Sequence, residues 1–224
     1  MLHILTPSRG RPANALRLRD ALRETCAGEW RLWLGVDSDD PALDEYRALA
    51  GRDTFVRSEG RMHLSAWTNY LADLASDDLR DDDWLASLGD DHLPRTPGWA
   101  YGNDLLQGEG IPTAWVQHAD LVRGRGMSPG LGWMMLPACE HLGVDLAVRD
   151  LGRAAGRIAY EPAVVVEHLH FVNGKAADDA TYRHGNNETR IRDDNAAHAA
   201  WLASPQFAAD VQTVKALTWG GGHG

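Results

Sequence analysis

Apolar and polar positions change rhythm several times along the first 92 residues, and each change marks a predicted element. Residues 2–6 form a short apolar run that reads as a buried strand, followed by a turn-rich stretch from Pro7 to Pro12. From about Ala13 to Cys26 the spacing is helical. Leu18 and Leu22 lie one turn apart, and Gly28 suits the stop. Trp30–Val36 reads as a second strand ending at Asp37, Pro41–Ala50 as a helix, and Thr54–Val56 as a third strand. Helical spacing returns over Leu64–Leu74, and Trp84–Leu88 reads as a fourth strand running into Gly89-Asp90-Asp91-His92. Strand and helix in alternation predict a mostly parallel sheet covered by helices.

The second half is less regular. Thr113–His118 has strand character, Gly124–Gly132 is a glycine-rich loop, and Leu136–Gly143 and Leu146–Ala155 read as helices. Ile158–Tyr160 and Ala163–Val166 read as strands, and the chain beyond Lys175 as a helical tail ending in Gly220-Gly221-Gly222-His223-Gly224.

Composition narrows the picture. A chain of 224 residues with 44% apolar residues suits one compact domain. No apolar run reaches the roughly 18 residues of a membrane span, and the first residues lack a secretion signal. A cytoplasmic protein is expected, in the host cytoplasm if the source is viral. Cys26 and Cys139 have no metal-type spacing and are expected as free thiols. The net charge of −10 argues against a general nucleic-acid binder. Basic residues cluster at the start (Arg9, Arg11, Arg17, Arg19, Arg23, Arg31), while Asp73–Asp91 is strongly acidic. Most of that acidic run, Asp83 included, is expected to be a solvated loop.

Ligands of a doubly wound sheet bind beyond the carboxyl ends of its strands. Three polar clusters fall there: Thr6–Arg11, Asp37–Asp40 and Asp90-Asp91-His92. Two or three carboxylates suit a hard divalent cation that completes its shell with diphosphate oxygens and water. Arg9 and Arg11 are placed to meet phosphate. Asp90-Asp91 also reads as a simple polar turn after a strand. Strand alternation puts His168 and His170 on one side with Leu169 opposite, either as metal ligands or as hydrogen-bonded histidines at a strand end. An imidazole ligand favours Mn2+ over Mg2+.

The order strand–Thr6-Pro7-Ser8-Arg9, strand–Asp37, strand–helix, strand–Gly89-Asp90-Asp91-His92 resembles the nucleotide half of GT-A glycosyltransferases of the family 2 type. Val144–Gly152 resembles the acceptor-side helix of those enzymes, which an acid opens. Pro162–His168 resembles the strand that brings a late histidine to the metal. Together with Pro94–Trp99 and Tyr101–Asp104, the chain from 2 to 190 is also similar to glycosyltransferase-like proteins of actinobacteria and their phages. The resemblance implies a GT-A-like domain over residues 1–190, with a nucleotide half to about 92 and an acceptor half from 93. Residues 191–224 would form a helical or flexible tail.

By the same likeness, Asp37 would contact the nucleoside, Thr6, Ser8 and Arg9 the donor, Asp90 the ribose or the metal, and Arg61 the nucleotide unless it is a plain surface residue; Lys175, after Gly174, is placed to reach the diphosphate as a point charge. Asp91, His168 and His170 would hold Mn2+ or Mg2+. Asp145 would be the base of an inverting enzyme, or an acceptor contact in a retaining one. The expected reaction moves a sugar from a nucleotide-diphosphate sugar, a UDP-sugar first, to a small molecule, glycan, protein or modified DNA base. A nucleotidyltransferase, a metal-dependent phosphoesterase and a non-catalytic GT-A-shaped binding protein are the alternatives.

Overall fold

The structure, a computed structural model, describes residues 1–80, 82–96, 101–107, 109–124 and 129–217. Its centre is a five-stranded sheet built from β1 (Leu2–Ser8), β2 (Trp30–Asp37), β3 (Thr54–Glu59), β4 (Trp84–Ser87) and β7 (Trp115–His118), in the order β3-β2-β1-β4-β7. The first four strands are parallel, and β7 runs antiparallel to β4. Side-chain alternation splits the core into two layers. On one face Ile4, Leu32, Leu34 and Val36 meet Leu18 and Leu22 of α1 (Pro12–Thr25) and Tyr46 of α2 (Leu43–Arg47). On the other, Leu5 and Trp33 meet Trp67 and Leu71 of α3 (Leu64–Ser76). Because α1 and α3 cover opposite faces, the sheet opens a crevice between β1 and β4, where the strand order reverses.

A second, three-stranded sheet stands beside this edge, in the order β5 (His92–Pro94), β8 (Tyr160–His168), β6 (Tyr101–Asn103). The two predicted strands around Pro162 are one strand. Pro162 falls within the irregularity where β6 skips from Glu161 to Val165, so its missing N–H breaks no ladder bond there. Helices α4 (Ala119–Arg123), α5 (Val144–Ala155), α6 (Ala180–Gly185), α7 (Glu188–Leu202) and α8 (Pro205–Ala216) follow, with a 3-10 turn at Phe171–Asn173.

Two expectations are corrected here. Residues 136–143 form no helix. They are a run of turns whose amide groups at Glu140, His141 and Leu142 all donate to the buried carboxylate of Asp194 on α7, more than fifty residues away. Asp83 is not on a solvated loop. It is 1% exposed and accepts from Arg80 N at 2.8 Å, with His3 Nε2 at 3.3 Å, while Asp77, Asp78 and Asp82 are exposed. The stretch from 191 to 217 is helical, as expected, and Trp201, Val211 and Val214 join the core layer of α3 and α5. Neither Cys26 nor Cys139 forms a disulfide among the described residues. Residues 97–99, residues 125–128 of the glycine-rich loop, and the final glycines lie outside the described residues.

Candidate metal centre

The crevice at the carboxyl ends of β1 and β4 holds the acidic motif. After β4 the chain turns at Gly89, with His92 N donating to Gly89 O at 3.1 Å, and re-enters extended backbone as β5. The turn depends on glycine. A Cβ at position 89 would stand 2.5 Å from Asp91 Oδ1 and 2.7 Å from His92 Nδ1. The site's own side chains thus occupy the space a larger residue would need.

Asp90 turns towards β1. Ser8 Oγ donates to its Oδ2 at 2.5 Å, and the Arg11 guanidinium lies 3.5 Å from Oδ1. Burial, followed by the charge of Asp91, raises the Asp90 carboxyl above the ordinary range. Asp91 behaves in the opposite way. Burial alone would raise it too, but the imidazoles of His168 and His92 outweigh burial and hold it well below the usual carboxylate value. Its Oδ2 accepts from Tyr182 Oη at 2.8 Å and faces His168 Nε2 at 3.6 Å, and its Oδ1 lies 3.0 Å from His92 Nδ1.

His92 and His168 are paired residues of the antiparallel ladder between β5 and β8, so their rings stack with centroids 4.1 Å apart. Asp91, His92 and His168 can each offer one donor atom to a point where the three atoms lie within 4.8 Å of one another, and all three residues are buried. Both ring nitrogens of His92 are buried and form no well-aligned hydrogen bond among the described residues; Nδ1 keeps the 3.0 Å ion-pair contact with Asp91 Oδ1, and Nε2 has no polar partner. A buried ring nitrogen left without a partner is costly. One anionic oxygen and two imidazole nitrogens converging on one point are a donor set that Mn2+ accepts, and a cation there would offset the poor satisfaction of the His92 ring. His168 is held from behind by Asp104, whose Oδ2 lies 3.3 Å from Nδ1. Burial lowers the His168 pKa, but Asp104 and Asp91 outweigh it and push it up to about 9.

The remaining predicted residues fall into four groups. Ser8, Arg9, Asp37 and Asp90 share the carboxyl edge. Asp37 Oδ1 accepts from Trp67 Nε1 at 2.7 Å and Met62 N at 3.1 Å, and Arg9 Nη1 donates to its Oδ2 at 2.7 Å. Gly35 permits this, because a Cβ there would stand 2.5 Å from the Trp67 ring. Asp145 opens α5 as a partly exposed carboxyl with no hydrogen bond among the described residues. Burial of the group pushes its pKa up to about 7, opposed by the charge of His168 and reinforced by that of Asp104.

Thr6, Lys175 and Arg61 form the third group. Thr6 is fully buried, with no hydrogen bond at Oγ1. Lys175 is bound by Glu167 at 2.7 Å, and Glu167 alternates with His168 on β8 and so faces away from the cluster. Arg61 is exposed in the loop between β3 and α3. His170 stands apart from the three converging residues. β8 ends at His168 and the 3-10 turn follows, so His170 packs edge-on to His168 at 5.0 Å and against Tyr182 at 4.6 Å.

Sequence reasoning placed His92 in the motif but not among the ligands, and missed Asp104 and the α6 strap. Asp179, the N-cap of α6, grips Arg11 through two bonds of 2.8 and 2.6 Å, and the Arg11 guanidinium sits 3.9 Å over the Tyr182 ring. The only advance signal was the N-cap pattern of Asp179 ahead of Thr181 and Tyr182.

No protein-family model matches the chain, and no curated protein sequence matches it. What the molecule itself defines is a class: an α/β protein with a mostly parallel sheet and a buried Asp-His-His group at its carboxyl edge. Among the described residues no helix is long and apolar enough to cross a membrane.

Proposed function

We propose that the protein is a GT-A-like glycosyltransferase that moves a sugar from a nucleotide-diphosphate sugar, a UDP-sugar first, to an acceptor hydroxyl with the help of Mn2+ or Mg2+. One observation supports this above the others. The buried, poorly satisfied His92 ring converges with Asp91 and His168 at the topological switch point, where α/β sheets take nucleotides. Asp91, His92 and His168 would hold the cation, which supplies positive charge against the leaving diphosphate.

The chain's own residues carry the other requirements. Arg9 and Arg11 bring permanent positive charge to the same edge, where negative charge grows on the departing nucleotide. Asp145 receives the acceptor proton. With a pKa near 7 and no hydrogen bond to satisfy its lone pairs, it is a stronger base at neutral pH than an ordinary aspartate. Asp37, already saturated by Trp67, Met62 and Arg9, acts first by holding Arg9 in place.

A donor screen by mass spectrometry tests the reading. Release of UDP from a UDP-sugar, dependent on Mn2+ and abolished by chelation, is the expected result. Turnover of nucleoside triphosphates or simple phosphoesters instead would move the protein to the nucleotidyltransferases or phosphoesterases. Metal-dependent UDP binding without turnover would make it a binding protein.

A further inference from the structure

Asp104 lies on the loop after β6, is 1% exposed, and divides its two oxygens between two tasks. Oδ1 accepts from the backbone amides of Leu106 at 2.9 Å and Gln107 at 2.6 Å. These bonds hold the turn in which Leu105 takes a left-handed conformation with φ of 60°, a costly geometry for a branched side chain. Oδ2 accepts from Thr113 Oγ1 at 2.6 Å and faces His168 Nδ1 at 3.3 Å. The loop is also tied to β8 by the backbone, with His168 N donating to Asp104 O at 3.2 Å.

We propose that Asp104 is a positioning residue for the metal centre: it holds the His168 ring with Nδ1 as the donor, so that Nε2 faces Asp91 as the metal-binding atom. This rests on the metal reading of Asp91, His92 and His168 given above. A carboxylate only accepts, so the nitrogen facing Oδ2 must carry the hydrogen. The neutral ring then has its lone pair on Nε2, the nitrogen that points at Asp91 Oδ2 3.6 Å away. A buried carboxylate behind a ligating imidazole fixes both its tautomer and its orientation.

The two tasks can be separated by one substitution. In Asp104→Asn the amide orientation is dictated by the loop, because the two backbone N–H groups require an oxygen at Oδ1. The new NH2 group therefore faces Thr113 and His168. Thr113 Oγ1 can turn to accept, but His168 Nδ1 must now accept as well, which moves the ring hydrogen to Nε2 and hides the lone pair from a cation. The turn survives and the tautomer inverts.

The test is calorimetric titration with Mn2+ alone on wild type, Asp104→Asn, His168→Ala and the double variant, each also unfolded in urea to record stability. The expected loss in Mn2+ affinity for Asp104→Asn is about 10- to 100-fold in the wild-type background. In the His168→Ala background it should shrink to about 2-fold or less, because an effect transmitted through one partner disappears when that partner is gone. Thr113→Val removes the hydroxyl donor to Oδ2 without touching the tautomer and should leave the affinity within about 3-fold of wild type.

Wild-type affinity in Asp104→Asn, an undiminished loss in the His168→Ala background, or an equal loss in Thr113→Val would each overturn the proposal while leaving the metal centre intact. If wild type binds no Mn2+, the metal reading and this proposal fall together. Should Asp104→Asn not fold, Mn2+ hyperfine spectra of wild type labelled with 15N at histidine Nε2 decide. Coupling that His168→Ala removes is expected, and its absence overturns the assignment.

Discussion

The imidazolium of His168 between Asp91 and Asp104 makes metal-free stability depend on pH in a defined direction. The pKa of His168 is raised in the fold to about 9 from its ordinary 6.5. A raised folded pKa means that the folded protein binds a proton which the unfolded chain has released. The stabilisation is therefore complete below pH 6.5 and is lost as pH rises through 9. At about 1.4 kcal/mol per unit, the shift corresponds to roughly 3 kcal/mol at low pH, of which about 2 kcal/mol should disappear between pH 7 and pH 9.5.

Asp145 and Asp90 are also raised, but as carboxyls they weaken the fold as pH climbs from about 4 towards their folded values. The interval from pH 7.5 upward therefore reports chiefly on His168. Urea unfolding of chelator-treated protein at half-unit steps, beside His168→Gln, is the assay. Wild type should lose stability steeply over that interval, and the variant should show a much flatter line. Parallel lines for the two proteins would refute the ion-pair account of the cluster.

Asp91→Asn and His92→Ala should each weaken Mn2+ binding by about 10²-fold or more by calorimetry, because each removes a direct donor rather than a supporting group. Asp83→Asn, an acid of the same run buried against His3, should lower the melting temperature yet leave Mn2+ affinity unchanged. Similar affinity losses in all three would reduce the centre to general charge attraction. Asp145→Asn should cut sugar transfer by about 10² to 10⁴ with near-normal donor binding. In wild type the rate should rise with pH towards a plateau above about 7, where Asp145 has lost its proton. A retained rate in the variant would assign Asp145 to acceptor binding and favour a retaining mechanism. Asp194→Ala orphans three amides at once and should cost about 3 kcal/mol or more in urea unfolding. A loss below 1 kcal/mol would show that the loop 140–142 finds other partners.

Local pattern determined a good deal of this protein. The alternation of apolar runs and helical spacing up to residue 92 placed β1, α1, β2, β3, α3 and β4 within a few residues, because each element answers to its own periodicity. Those elements alone imply the parallel sheet, its carboxyl edge, and the presence there of Ser8, Asp37, Asp90 and Asp91. Helical spacing from Leu146 and apolar residues over Ala163–Val166 marked α5 and the middle of β8 for the same reason, whereas Asp145 and His168 were singled out by the family resemblance.

What the sequence could not decide was which distant residues meet. The choice of His92 over His170 beside His168 was settled by the register of β5 against β8 and by the end of β8 at His168, neither of which has a local signature. Asp104, Asp194 and Asp83 look like surface acids when read by type. Each is buried because partners in distant parts of the chain satisfy it: His168 and Thr113, the amides of 140–142, and His3 with the Arg80 amide. Burial of a charged group is a property of its completed hydrogen-bond set, and that set exists only once the tertiary fold has brought its members together.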